Sequence, residues 1–163
     1  MSKGSSQQCD VYHIHCASPT ATTRSDRRGA QAVVIYHLTS ESDLRRYTKA
    51  RIYRPPSLDS EGFVHCSDAA SVLPVADDYF GDASAPMLLL EIDAGALAAE
   101  VRVEAPAPLP GGGTAHLTPG AAFPHVYGPI EVTAVRRLGW LRRGPAGYAW
   151  PPDWLDPEAF LSA

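Results

Sequence analysis

The chain has 163 residues, 45% hydrophobic and 20% charged, and its 14 basic and 18 acidic side chains leave a formal charge of -4, which describes one soluble globular domain able to bury roughly 68 to 70% of its unfolded surface without a metal or disulfide scaffold. Three cysteines, an odd number, without an apolar signal segment favour reduced thiols in a cytoplasmic protein over a disulfide framework, and the lack of a run of about 18 apolar residues excludes a membrane span. A pI of about 5.8 argues against nonspecific nucleic-acid binding.

Residues 1–30 are rich in Ser, Thr, Gln and Arg, lack hydrophobic periodicity and carry a charge of +2, so they are expected to be a disordered extension. The pattern changes at Gln31. Ala32-Val33-Val34-Ile35-Tyr36 is a β-branched run of strand length ending at His37. Thr39 or Ser40 can cap a short helix over Glu41 to Tyr47, with acids in its first turn and Arg45 and Arg46 near its end. A short strand from Arg51 to Arg54 stops at Pro55-Pro56, and Gly62 to Cys66 forms another. Ser67 and Asp68 can cap a helix running towards Phe80, in which Pro74 produces a kink or falls in the first turn of a second helix.

Pro86 to Ile92 is an apolar run suited to a central strand, and Val101 to Glu104 alternates as a half-buried strand does. The Pro- and Gly-rich stretch from Ala105 to Ala122 reads as a long loop. Ile130 to Leu138 alternates again, with Gly147 to Trp150 expected to pair with it as a closing hairpin, and prolines 151, 152 and 157 end regular structure. The expected fold is α+β, with a mixed, mostly antiparallel sheet and short helices, in one domain over residues 31–152 followed by a C-terminal tail over 153–163.

Three histidines, His37, His65 and His125, sit at the ends of strand-like segments or beside Gly and Pro, where side chains line clefts. The plain alternative for each is a bond to a backbone carbonyl that holds a loop. Cys66 follows His65 directly, and adjacent strand residues point to opposite faces, which argues against a thiolate–imidazole pair.

Four strings in order, Tyr36-His37-Leu38-Thr39, Gly62-Phe63-Val64-His65-Cys66-Ser67, Leu88-Leu89-Leu90-Glu91-Ile92-Asp93 and Phe123-Pro124-His125-Val126-Tyr127-Gly128-Pro129, resemble the domain-of-unknown-function 952 family (DUF952) from about Val33 to Trp150. The resemblance implies a compact ADP-ribosyltransferase-like fold. Within that fold Tyr36 to Thr39 is similar to the Tyr-His-Gly-Thr of NAD-using ADP-ribosyltransferases, and Val64 to Ser67 to the Val-His-Leu-Ser of RNA 2′-phosphotransferases. It implies that NAD or another small-molecule nucleotide is the ligand, with His37 donating to a ribose hydroxyl, His65 contacting the other ribose or the transferred group, and Thr39 assisting through its hydroxyl. Tyr36, Ser67, His125 and Tyr127 complete the expected cleft, Tyr127 as a stacking ring. The glycine after the first histidine of the transferases is Leu38 here, which limits close backbone approach to a nicotinamide amide.

A pyrophosphate needs cations, yet residues 55–135 carry only Arg102 against eleven acids. Arg51 and Arg54, close in sequence to the first histidine string, are the candidate phosphate ligands, with a solvated basic face as the alternative. Glu104 is the preferred catalytic carboxylate, while Glu91, in the most apolar strand, also reads as a buried structural acid. The domain contains neither His-Glu-x-x-His nor Cys-x-x-Cys, so no metal is expected; Cys9, His13, His15 and Cys16 offer ligand types only within the extension. The sequence thus predicts binding of NAD or an ADP-ribose-type nucleotide with transfer of ADP-ribose, the alternatives being a noncatalytic module of the same fold and a metal-dependent hydrolase.

Overall fold

The computed structural model describes residues 32–81, 86–106 and 120–163. The reading of residues 1–30, and most of that of the loop from Ala105 to Ala122, fall outside these residues. The described chain is α+β: small antiparallel sheets with a few short helices. In place of one mixed sheet there are three three-stranded sheets and a hairpin, and every strand pairing among the described residues is antiparallel.

The first sheet has β5 (Met87–Asp93) between β1 (Val34–Ser40) and β9 (Val135–Trp140). β5 is buried on both faces from Met87 to Ile92, as its continuous apolar run predicts. β1 extends beyond the predicted end, through His37 to Ser40. The Ser40 side chain then accepts from the Asp43 N–H and caps α1 (Glu41–Tyr47), whose early acids and late arginines match the helix dipole.

The second sheet orders β2 (Thr48–Lys49), β3 (Ile52–Tyr53) and β8 (Ile130–Glu131). The two-residue turn between β2 and β3 places Ala50 and Arg51 at φ 49° and 64°. A tight hairpin needs such angles, but Asn-Gly is the pair that announces one, and Ala-Arg does not. α2 (Pro56–Ser60) starts on Pro56, whose missing N–H costs nothing in a first turn.

The third sheet orders β4 (Val64–His65), β7 (Phe123–Val126) and β6 (Val101–Glu104). β7 begins directly after the segment expected to be a loop, at a place where no strand was expected. Pro124 disguises it, since proline is disfavoured in a central strand. The Pro124 carbonyl accepts from the Cys66 N–H at 2.9 Å, but its nitrogen cannot return a bond, so the β4–β7 ladder ends there. The chain then crosses to the first sheet: Tyr36 N–H donates to the Ser67 carbonyl (2.9 Å) and Ser67 N–H to the Tyr36 carbonyl (2.8 Å).

α3 (Val72–Phe80) begins at Val72, placing Pro74 in its first turn. The expected strand from Ile130 to Leu138 is broken by a 3-10 turn at Val132–Ala134, and the closing hairpin pairs β10 (Arg142–Gly144) with β11 (Gly147–Ala149), not Gly147 to Trp150 with Ile130 to Leu138. Residues 153–163 carry α4 (Pro157–Ser162), capped by Asp156, with Phe160 and Leu161 packed on the core. One apolar cluster includes Ile35, Leu90 and Leu138 of the first sheet, Tyr53 and Ile130 of the second, and Val64 and Val126 of the third.

Candidate functional site

Where the edge of β1 parts from β4 beyond the Tyr36–Ser67 bridge, a cavity of about 460 Å³ opens. Tyr36, His37, Thr39, His65, Ser67 and His125 all line it. Among the candidates, Arg51, Arg54, Glu104 and Tyr127 do not. Arg51 pairs with Glu158 of α4, and Arg54 with Asp59 at 2.5 Å, both as exposed ion pairs.

His37 is buried on the core face of β1. Its Nδ1 lies 2.7 Å from the His65 carbonyl, and a carbonyl only accepts, so Nδ1 carries the proton. Burial holds the imidazole neutral, its pKa lowered to about 4, which leaves Nε2 a lone pair. Tyr53 O–H donates to that nitrogen across 3.2 Å, and the Thr39 hydroxyl, 3.1 Å from the Tyr53 oxygen, donates to Tyr53 in turn. Burial also pushes the Tyr53 hydroxyl up to about 12, keeping it protonated as a donor. Thr39, Tyr53 and His37 therefore form a directional chain that ends on the backbone of β4.

His65 and His125 are direct cross-strand partners, so both rings stand on one face of the third sheet, edge-on at 5.5 Å between ring centres, with Phe63 against both. Phe63 stacks on His125 at 4.2 Å between ring centres and meets His65 edge-on at 4.8 Å. His65 Nε2–H donates to Glu61 at 2.8 Å. His125 Nδ1–H donates to Glu104 at 3.1 Å, and the same carboxylate oxygen accepts from Tyr127 O–H at 2.7 Å. These bonds, Tyr127's foremost and then His125's, hold the Glu104 carboxyl below the usual range. Tyr127 is covered by the Arg102 guanidinium, 4.2 Å from its ring centre. Glu104 thus reaches the cavity only through His125. The opposite face carries Val64, Val126 and Cys66 into the core; burial pushes the Cys66 thiol up, which removes it as a nucleophile.

Leu38 contributes backbone. Odd-numbered residues of β1 face β5 with their backbone groups, as the bond from Ala94 N–H to the Val33 carbonyl shows, and even-numbered ones face away, as Tyr36 does when it bonds Ser67. The Leu38 N–H and C=O therefore point off the sheet edge at the cavity, and they have no hydrogen-bond partner among the described residues. The Leu38 side chain packs in the cluster with Met87 and Leu89 on one face of the sheet.

Glu91 is buried and accepts twice from Arg137, at 3.0 and 2.7 Å, which makes it the structural acid of the two candidates. Sequence inspection misses Tyr53, Glu61 and Phe63. The string Arg51-Ile52-Tyr53-Arg54 reads only as a strand, and nothing local says that its tyrosine meets His37, 16 residues away. Among the described residues no three His, Cys, Asp or Glu side chains gather as metal ligands do.

The fold is similar to that of protein CC0527 from Caulobacter crescentus. Its crystal structures, as found and as a double mutant, are 22% identical to this chain and cover 78% of it and 98% of their own length, with a TM-score of 0.53. The solution NMR structure of CC0527 is 24% identical over 71% of this chain and 90% of its own, with a TM-score of 0.52. No protein of curated function matches. Residues 38–138 match the family model described as a protein of unknown function, DUF952, and with more than half of its length so matched the chain belongs to the DUF952 family.

Proposed function

We propose that the cavity binds NAD or a related ADP-ribose-type nucleotide, in a domain of ADP-ribosyltransferase-like fold, and that the reaction is transfer of the ADP-ribosyl group. The observation that carries this reading is the convergence of His37, Thr39, His65, Ser67 and His125 on one cavity beside the backbone edge of Leu38, unpaired among the described residues. Its volume of about 460 Å³ suits a small ligand. The Leu38 N–H and C=O form a donor–acceptor pair of the kind that a carboxamide complements, with the leucine side chain held back in its own apolar cluster.

The proton on His37 Nδ1 is committed to the His65 carbonyl, so a ribose hydroxyl meets this histidine as a donor to Nε2, taking the place of Tyr53. Bound NAD supplies a ribosyl carbon already bonded to a leaving group, nicotinamide. An acceptor hydroxyl gives up its proton as its oxygen replaces that group. His125 is the residue suited to take the proton, because Glu104 fixes Nδ1 as the donor and Nε2 has no partner among the described residues. Arg51 and Arg54, paired with Glu158 and Asp59 outside the cavity, have no part in this reading.

A second reading, a noncatalytic binding module, is favoured by one observation: Glu104 does not line the cavity. Thermal shift with NAD, ADP-ribose and AMP, followed by assay for nicotinamide release, separates the two. Stabilisation by NAD with release of nicotinamide is expected; stabilisation without release selects the module, and no shift at millimolar nucleotide overturns both.

A further inference from the structure

We infer that this cavity selects its ligand by charge, accepting a planar organic cation and rejecting phosphate, so that the nicotinamide end of the nucleotide enters and the phosphates stay outside. The choice of ring rests on the nucleotide reading above; the charge preference rests on the walls of the cavity.

Among the described residues, those walls carry two carboxylates, Asp43 and Glu61, and no Lys or Arg. Segments 82–85 and 107–119, on either side of the lining residues Phe80, Met87 and Pro106, contain no Lys or Arg in their sequence either. Arg54, next to the lining residue Pro55, is committed to Asp59, and Arg51 to Glu158. A phosphate inside would meet two carboxylates with no cation to offset them.

Aromatic residues complete the surface: Tyr47, Tyr53, Tyr79 and Phe123 line the same space. A ring quadrupole attracts a cation more strongly than it attracts a neutral ring of the same shape. Asp43 is held at the mouth by its bond from Ser40, and Glu61 by its bond from His65, so both charges are positioned before a ligand arrives. Oxidised nicotinamide attached to ribose is a pyridinium cation, planar and bearing a carboxamide; reduced nicotinamide has the same outline and no charge. The cavity therefore distinguishes the two oxidation states of one dinucleotide.

Calorimetric titration of the full chain at pH 8, where an ordinary imidazole is neutral, compares oxidised NAD, NADH, ADP-ribose and 1-methylnicotinamide. Oxidised NAD is expected to bind about tenfold more tightly than NADH or ADP-ribose, and 1-methylnicotinamide to bind measurably. Glu61→Gln and Asp43→Asn are each expected to reduce the preference for oxidised NAD over NADH by about threefold, and either variant suffices if the other does not fold. Equal affinities for oxidised NAD and NADH overturn the charge selection and leave the nucleotide reading standing. Binding of 1-methylnicotinamide but not of NAD overturns the nucleotide reading and supports the selection for a cation. Failure of every ligand to bind overturns both.

Discussion

At the scale of single residues, the protonation of His37 has consequences for stability. Its folded pKa of about 4 lies below the ordinary 6.5 because burial penalises the charged ring. As pH falls the unfolded chain binds this proton first, so the stability associated with neutral His37 is complete above about pH 6.5 and is lost progressively down to about pH 4. The loss amounts to roughly 3 kcal/mol at most. Urea midpoints measured from pH 8 to pH 4 are expected to fall in this window, and His37→Gln is expected to flatten the slope by about one proton; an unchanged slope would show that His37 is not the group responsible. The residue was visible in the sequence as a cleft-lining candidate. Its direction was not, because the groups that fix it, the His65 carbonyl and the Tyr53 hydroxyl, are 28 and 16 residues away.

At the scale of elements, β5 and β9 are joined by more than their ladder. Arg137 on β9 donates to the buried Glu91 on β5 and lies over the Trp154 ring at 4.1 Å. The two partners are unequal: the Glu91 side chain is 5% exposed and that of Arg137 47%. Arg137→Ala leaves a buried carboxylate with Tyr36 beside it and Arg136 at 3.7 Å, whereas Glu91→Gln leaves a cation that water can solvate. The arginine variant is therefore expected to cost about 2 kcal/mol in urea unfolding and the glutamine variant less than half of that; the reverse order would contradict this account of the pair. Nearby, Gly139 permits the C-terminal segment to cross, since a Cβ there would meet Pro151 at 2.5 Å and the Asp153 carbonyl at 2.8 Å. Elements with local signals were legible: the Ser40 cap of α1, the apolar run of β5 and the bounds of β6, although Val103, on the expected inner face of β6, is 70% exposed. β7 and the β2–β3 turn were not, because Pro124 and Ala50-Arg51 contradict the usual chemistry of a central strand and a tight turn.

At the scale of the whole described chain, the core cluster takes side chains from all three sheets, so no sheet can come apart without exposing apolar surface of the others. Leu90→Ala, in the most buried strand, is expected to cost 2 to 5 kcal/mol, on the order usual for such truncations, and to move the urea transitions seen by tryptophan fluorescence and by far-UV circular dichroism together. Separate transitions would show that the sheets unfold independently. No described helix is long and apolar enough to cross a membrane. The sequence by itself determined the α+β class, the strands and caps whose signals lie within a few residues, and the histidines worth following, because hydrophobic period and capping are local physics. Only the tertiary structure decided that the strands divide into small antiparallel sheets, that Arg51 and Arg54 face other carboxylates, that Glu104 is joined to the cavity only through its bond from His125, and that Leu38 turns its backbone to the cavity. Each of these depends on which distant edge a strand meets, and that is settled by packing across the whole core.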